Sequence, residues 1–369
     1  MVVVAGLLRS VIGIGTGARL CTAALRQLGI RTAVVDLTHV LQPHEEFVTE
    51  PEPCGTNMSG GVLVVHVNPP ELPLALAAIG RRALRHSHIV GYWHWELPDM
   101  PKSWRSGLRL VDEIWVSSQF VADAVRPHAK LPVYVVPHPV PRPTPSGMGR
   151  SDLGIPEGPF VCVCAFDARS TYVRKNPVGM IRAFRMAFGN RSDAVLVMKI
   201  VEPARAPDAM RQIRREIGSA ADIHILDRKL STDDMAALVD CSDVVMSLHR
   251  SEGFGLVLAE AMLLGKPVVA TRWSGNMDFM NDNNSALIDY KLIPVVDPQR
   301  IYTMKGQRWA EPDIVQAAEW LLRLKEDKGL RHRIGANAAR DAIAFFSLDR
   351  YREAIARTSL FDRVFTGTS

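Results

Sequence analysis

Two alternating series of strand-like and helix-like segments, one on each side of a proline-rich strap, constrain this chain most. The first series holds MVVVAG, TAVVDL, GVLVVHV, HIVGYW, EIWVSS and VYVVPH, with helix-like GARLCTAALRQLG and LPLALAAIGRRALRH among them. The second holds FVCVCAF, AVLVMKI, IHILD, DVVMSLH and KPVVATR, interleaved with NPVGMIRAFRMAF, APDAMRQIRREIG, STDDMAALVDC and FGLVLAEAMLLG. Such alternation predicts parallel sheets covered by helices on both faces. The strap, PHPVPRPTPSGMGR at 137–150, carries five prolines and suits neither a helix nor a central strand. A chain of 369 residues exceeds what one core usually serves, so an α/β protein of two domains is expected, 1–146 and 147–346. After them SLDRYREAIARTSLF reads as an amphipathic helix with Ser347 as its N-cap. Ligands of open α/β sheets bind beyond the carboxyl ends of strands, so a cleft fed by strand-end loops is expected.

Composition excludes some classes. Net charge is +5, enough to favour phosphorylated ligands and too little for a nucleic-acid binder. Five cysteines show no zinc spacing, and Cys162 and Cys164 alternate inside a strand as core residues, which suits a reducing cytoplasm. MVVVAGLL stops at Arg9 and reads as a strand rather than a signal peptide, and no apolar run is long enough to span a membrane. No metal site is expected: HExxH is absent, and THVLQPHEEF and RHSH read as loop and helix-end histidines.

The segment HRSEGFGLVLAEAM carries the chemistry. A strand, DVVMSLH, leads through RSEGFG into a helix that Gly265 ends. Gly253 and Gly255 bare the N–H groups of a helix start, where the dipole is positive and a phosphate is the natural guest. Glu252 precedes that helix, and Glu260 lies about 8 Å along it at 1.5 Å per residue. Carboxylates accept hydrogen bonds from paired hydroxyls, so the two suit a sugar on one flank of a diphosphate and a ribose on the other. Two other readings stand beside it: a structural turn with Glu260 on a solvated face, and a glycosidase acid/base pair, which leaves the glycines unused. A cationic partner follows the first strand of the second series. CAFDARSTYVRKNPVG places Arg174 and Lys175 before a helix opened by Asn176 and Pro177, where they can stabilise a departing nucleoside diphosphate without a metal.

The first series offers two further candidates. Gly13, Gly15 and Gly17 in RSVIGIGTGARLC match GxGxxA before a helix, and Asp36 ends the next strand. That is a dinucleotide fingerprint, and it supports a rival: a nicotinamide-dependent oxidoreductase. LLRSVI separates the glycines from their strand, so a flexible glycine loop with Arg19 at the helix start is the other reading. GYWHWELPDMPKSW follows a strand, and Trp93 is suited to stacking on a sugar, with His94 and Glu96 to bond hydroxyls; the plainer reading is an aromatic core with a satisfied histidine.

Taken together, these segments resemble the retaining glycosyltransferases of family 4, of GT-B fold, in a bacterial polysaccharide-type subgroup. SEGFGLVLAEAMLLGKPVV is similar to the family's Glu-x7-Glu signature, RKNP to its diphosphate clamp, and VVPHPV to the end of its first domain, usually Pro-Asn-Gly-Val. The resemblance implies two Rossmann-like domains: 1–146 for the acceptor, with a final helix at 347–369 crossing back to it, and 147–346 for the nucleotide-sugar donor. It implies that Glu252 contacts the donor sugar and Glu260 the ribose, and that Gly253, Phe254, Gly255 and Leu256 hold hydroxyls and phosphate. Arg174 and Lys175 would clamp the diphosphate, with Asp167, Arg169 and Arg228 completing the donor side. His94 would face the donor's sugar, and Gly13, Gly15, Gly17, Arg19, Trp93 and Glu96 would line the acceptor side. GNMDF replaces the common Gly-Gly-x-x-Glu, and PHPV departs likewise.

The expected protein is therefore a retaining, metal-independent hexosyltransferase without a cofactor. It would use a donor such as GDP-mannose or a UDP-hexose and a glycan or polyisoprenyl-linked acceptor. The expected place is the cytoplasm, with peripheral contact at the inner membrane face through GRRALRHSH, Arg105 and Arg109 left open beside solvated helix faces. The alternatives are the oxidoreductase and a catalytically silent nucleotide- or glycan-binding protein.

Overall fold

The computed structural model describes residues 1–42, 61–189, 193–302, 304–361 and 363. His44, in THVLQPHEEF, lies outside them. The chain divides into two compact units, Met1–Val140 with Phe346–Ser369, and Pro141–Phe345. The break falls inside the proline strap, six residues before 146/147.

The first unit contains β1 (Val2–Gly6), β2 (Thr32–Asp36), β3 (Gly61–His66), β4 (Ser87–Trp93), β5 (Glu113–Val116) and β6 (Val133–Val135) in the order β2-β1-β3-β4-β5-β6. All five pairings are parallel. The second contains β7 (Phe160–Asp167), β8 (Ala194–Val201), β9 (Ile223–Leu226), β10 (Val244–Ser247), β11 (Val268–Thr271) and β12 (Ala286–Ile288), in the order β12-β11-β10-β7-β8-β9 and again parallel. A hairpin, β13 (Tyr290–Pro294) with β14 (Arg308–Pro312), is antiparallel and has no counterpart in the expected segments.

Apolar residues on consecutive positions explain why the sheets are buried on both faces. In β7, Cys162, Cys164 and Phe166 enter one core cluster, while Val161 and Val163 enter another on the opposite face. The period of two along a strand requires this division, and it places both cysteines in the core. Tyr351, Ile355 and Leu360 from the C-terminal segment join the core of the first unit, and Tyr351 Oη meets Cys21 Sγ at 3.3 Å. That segment forms two helices, Leu348–Ile355 and Ser359–Phe361, instead of one continuous helix. Ser347 caps the first by accepting from Arg350 N–H. The Ser359 hydroxyl is taken up by Glu113 and His88 of the sheet.

Chain order reverses direction between β1 and β3 in the first unit and between β7 and β10 in the second. Strand-end loops diverge at such points and leave a crevice, so they are where each unit can hold a ligand.

Candidate functional site

The second unit's switch point gathers charge. β7 ends at Asp167, and the loop beyond it makes one short helix, Tyr172–Lys175, bracketed by Thr171 (φ 48°) and Asn176 (φ 55°), both left-handed. Neighbouring bonds hold this unusual course. Gln299 accepts from Tyr172 N–H at 2.8 Å and donates to Ala168 O at 3.2 Å. Asn176 accepts from Gly179 N–H, capping the helix Pro177–Phe188, and donates to Leu248 O at 2.9 Å beyond β10. The basic pair is thereby fixed against the neighbouring strand's loop.

That loop carries Glu252. Its carboxylate lies 2.5 Å from Lys175 Nζ and 3.2 Å from an Arg174 guanidinium nitrogen. Arg174, with only 2% of its side chain exposed, also donates to Ser251 O at 2.7 Å and Ser170 Oγ at 2.9 Å. Burial alone would raise the Glu252 carboxyl; Lys175 and Arg174 overcome it and hold the group down at about 2. Two cations and one carboxylate leave a positive balance. His249, fully buried behind them with both ring nitrogens unbonded, is lowered to about 4, first by burial.

The helix Leu256–Leu263 follows at once. Gly255, at φ +101°, is its N-cap and supplies no capping side chain; Leu258 N–H donates to Gly255 O at 3.0 Å, and no cap side chain covers the N–H groups of Leu256 and Val257. Phe254 is buried and packs on Phe279 at 5.5 Å between centroids. Glu260 is half-buried on the same helix, and burial pushes its carboxyl up to about 7.

Residues that spacing did not single out hold this loop. Glu252 N–H donates to Ser274 Oγ at 2.8 Å, and Gly275 N–H donates to Glu252 O at 2.9 Å. A Cβ on Gly275 would stand 2.2 Å from Gly253 O, so only glycine allows the two loops to touch. Asn276 is fully buried and donates to Thr271 O at 3.1 Å. The departure GNMDF was the one signal in the sequence that pointed to this segment.

Two other expected residues are engaged by partners of their own. Arg169 forms a two-pronged pair with Asp167 on its own loop, at 2.7 Å for the closer contact, so its guanidinium is committed there. Arg228 is exposed after edge strand β9 and donates to Asp152 O at 2.8 Å; the sheet order sets it apart from the β7/β10 switch point.

In the first unit the glycine loop is a correction. Gly13, Gly15 and Gly17 belong to the first turns of the helix Gly13–Gln27. A Cβ on Gly15 would meet Leu7 O at 2.4 Å, and one on Gly17 would meet the His138 ring at 2.6 Å, so both serve close packing. Arg19 donates to Leu8 O, Ser10 O and Thr16 Oγ1, pinning its own loop. Trp93 is wholly buried and packs edge-on against Trp104 at 6.1 Å, so it is core and not a platform for a sugar. Glu96 is half-buried. His94 sits beyond β4, its N–H donating to Asn68 Oδ1 at 2.9 Å, with the imidazole lowered to about 4 by burial. Among the described residues, no group of three or more His, Cys, Asp or Glu could hold a metal ion.

Residues 163–303 match the family model described as glycosyl transferases group 1, a span that includes Arg174, Lys175, Glu252 and Glu260. The D-inositol 3-phosphate glycosyltransferase of Corynebacterium glutamicum (strain R) is 32% identical over 130 residues, which is 34% of this chain and 30% of that protein. The curated relatives are matched over 15% to 45% of their own lengths, so the chain spans less than half of each. Among solved structures, sucrose-phosphate synthase from Thermosynechococcus elongatus superposes with a TM-score of 0.71 at 15% identity over 100% of both chains. Anabaena Alr3699/HepE, solved with UDP and glucose, gives 0.65 at 18% identity over 97% of this chain and 99% of that one. The fold is that of the GT-B glycosyltransferases, and the match to the group 1 glycosyl transferase model falls on residues 163–303 of its second unit.

Proposed function

We propose that this chain is a retaining, metal-independent glycosyltransferase that moves a hexose from a nucleotide-diphosphate sugar to a glycan or lipid-linked acceptor. The observation that carries the proposal is the buried cluster of Arg174, Lys175 and Glu252 beside an uncapped helix start. Its positive balance suits a diphosphate. Lys175 is the more exposed cation and is the one to leave Glu252 for an incoming phosphate, while the carbonyl and hydroxyl contacts of Arg174 keep it in place. Glu252, released from Lys175, accepts from sugar hydroxyls, and Glu260 meets the ribose further along the helix.

In the reaction the bond from the anomeric carbon to the phosphate oxygen breaks and a bond to the acceptor oxygen forms on the same face. The acceptor's proton passes to the departing phosphate oxygen, and Arg174 and Lys175 stabilise the charge that develops there. No side-chain nucleophile is required. Anabaena HepE and the pneumococcal O-GlcNAc transferase GtfA, each solved with UDP, make UDP-sugars the first donors to test. Among the described residues no helix is long and apolar enough to cross a membrane. Cytoplasmic residence, with peripheral contact at anionic membrane through exposed Arg81, Arg82 and Arg85, belongs to the same proposal. Sedimentation with anionic vesicles at low and high salt tests it.

The decisive experiment is a thermal-shift series with UDP, GDP, ADP and NAD, followed by turnover of the matching sugar donor with and without chelator. Stabilisation by one nucleoside diphosphate and chelator-resistant turnover with a retained anomer are expected. A shift with NAD alone would replace this reading with the oxidoreductase, and donor binding without turnover would leave a silent binding protein.

A further inference from the structure

Four groups in the first unit form a hydrogen-bonded series with a fixed direction. Tyr92, buried in β4, places its Oη 2.5 Å from Val136 O and 3.2 Å from His138 Nδ1. His138 Nε2 lies 3.2 Å from His94 Nε2. A carbonyl oxygen has no proton to give, so the single phenolic proton goes to Val136 O. Oη therefore meets His138 with a lone pair, and His138 Nδ1 carries the ring proton. Burial, reinforced by His94, holds His138 well below the ordinary imidazole range, so the ring is neutral and its Nε2 is an acceptor. His94 must bring its own proton to Nε2, which leaves Nδ1 as a lone pair. That Nδ1 is buried and has no hydrogen-bond partner.

The surroundings are shaped to hold the series. Gly17 is the position where a Cβ would strike the His138 ring, and Asn68 anchors the His94 backbone. His66 stacks on Tyr92 at 4.3 Å with neither ring nitrogen bonded, so it backs the phenol without competing for its proton. The ring planes of His94 and His138 lie within 15° of each other.

We infer that Tyr92 and His138 are positioning residues that lock His94 as a hydrogen-bond acceptor through Nδ1, so the ligand group seated there is a sugar hydroxyl and not a carboxylate or phosphate. The sugar in this statement rests on the function proposed above; the direction of the series does not. An unprotonated imidazole nitrogen attracts O–H and repels an anion, so the site reads the polarity of its guest without bearing charge.

Long-range 1H–15N spectra of the full-length 15N-labelled chain at pH 7.5 test the direction. The expected pattern is His138 protonated on Nδ1 and His94 on Nε2; a wild-type His94 protonated on Nδ1 would overturn the inference. Tyr92→Phe should release His94 into a mixture of tautomers. His138→Asn keeps an acceptor oxygen for the His94 proton and should preserve the tautomer, whereas His138→Leu should not, and an unchanged His94 in the leucine variant also overturns it. Turnover of UDP-glucose and GDP-mannose supplies the second readout. His138→Leu should raise KM about tenfold, with the asparagine variant retaining most of the wild-type value. Equal KM in the two variants removes the hydroxyl assignment. Wild-type protein that turns over neither donor defeats the functional reading while the tautomer result stands.

Discussion

The two units each place a polar cluster at the carboxyl ends of their strands, and they treat charge in opposite ways. In the second unit Glu252 is held ionised, because Lys175 and Arg174 each meet it within 3.2 Å. In the first unit His66, His94 and His138 are all pushed toward the neutral form, first by burial; His94 adds to the effect on His66 and His138, and His138 to that on His66. Charge survives burial only with a partner. The difference is one of recognition: the second cluster is suited to an anion, the first to a neutral group read by hydrogen-bond direction.

Mild acid should separate the two units most strongly. A base buried neutral binds fewer protons folded than unfolded, so its contribution is fully present above the ordinary histidine pKa of about 6.5 and is lost as pH falls below it. For His94, at about 4, the cost reaches about 2 kcal/mol by pH 5, and His66 and His138 act in the same direction. The first unit has three such histidines, whereas His249 is the described example in the second unit. Hydrogen exchange should therefore show β1 and β3 losing protection between pH 7.5 and 5 well before β7 and β8. Parallel loss in both sheets would erase the contrast.

Arg174→Leu should have the next largest effect. It leaves Glu252 with Lys175 alone and strips donors from Ser251 O and Ser170 Oγ. A loss of about 3–5 kcal/mol in urea unfolding is expected, together with at least a hundredfold loss, roughly, of donor turnover. Unchanged stability would mean that the cluster is not coupled.

The two glutamates should then titrate in opposite senses. The Glu252 carboxyl at about 2 lies below its unfolded value, so it stabilises the fold above pH 4.5 and that contribution, about 3 kcal/mol, disappears as pH falls through 2. Glu252→Gln should remove this acid dependence from urea melts. Glu260, raised to about 7, is protonated in the fold while still ionised in the unfolded chain. Stability therefore falls as pH rises from 4.5 to 7. For this half-buried group the change is on the order of 1–2 kcal/mol, and Glu260→Gln should abolish it. The same variant should raise the donor KM by weakening the ribose contact, a smaller effect than loss of Arg174.

Much of the second cluster was legible in the sequence because its parts are local. Glycines before an apolar helical run mark a helix start, and a glutamate directly before them has little freedom of position. Arg174 and Lys175 could be assigned to a strand-end loop, but their contact with Glu252 spans more than 70 residues and depends on β7 and β10 being neighbours. That Arg228 follows an edge strand was hidden for the same reason, since a strand's place in the sheet order is not written in its own residues. The first unit was harder to read. GIGTGA has the form of a phosphate loop, yet its glycines admit Leu7, Ser10 and His138 from segments on either side. Trp93 and His94 are adjacent in sequence, but the strand's period of two sends one into the core and leaves the other at the end of the sheet.

From its sequence alone the chain determines two alternating α/β series, the proline strap that divides them, the helix start at Gly255 and the identity of the acids beside it. These follow from periodicity, steric punctuation and the chemistry of neighbouring residues, all of which act over a few positions. Only the tertiary structure decided that Glu252 would be held by two cations, that Ser274 and Gly275 would fix its backbone, and that Tyr92 and His138 would set the proton on His94. Ionisation and tautomer depend on groups brought within hydrogen-bonding distance by strand order, and strand order is a property of the whole sheet.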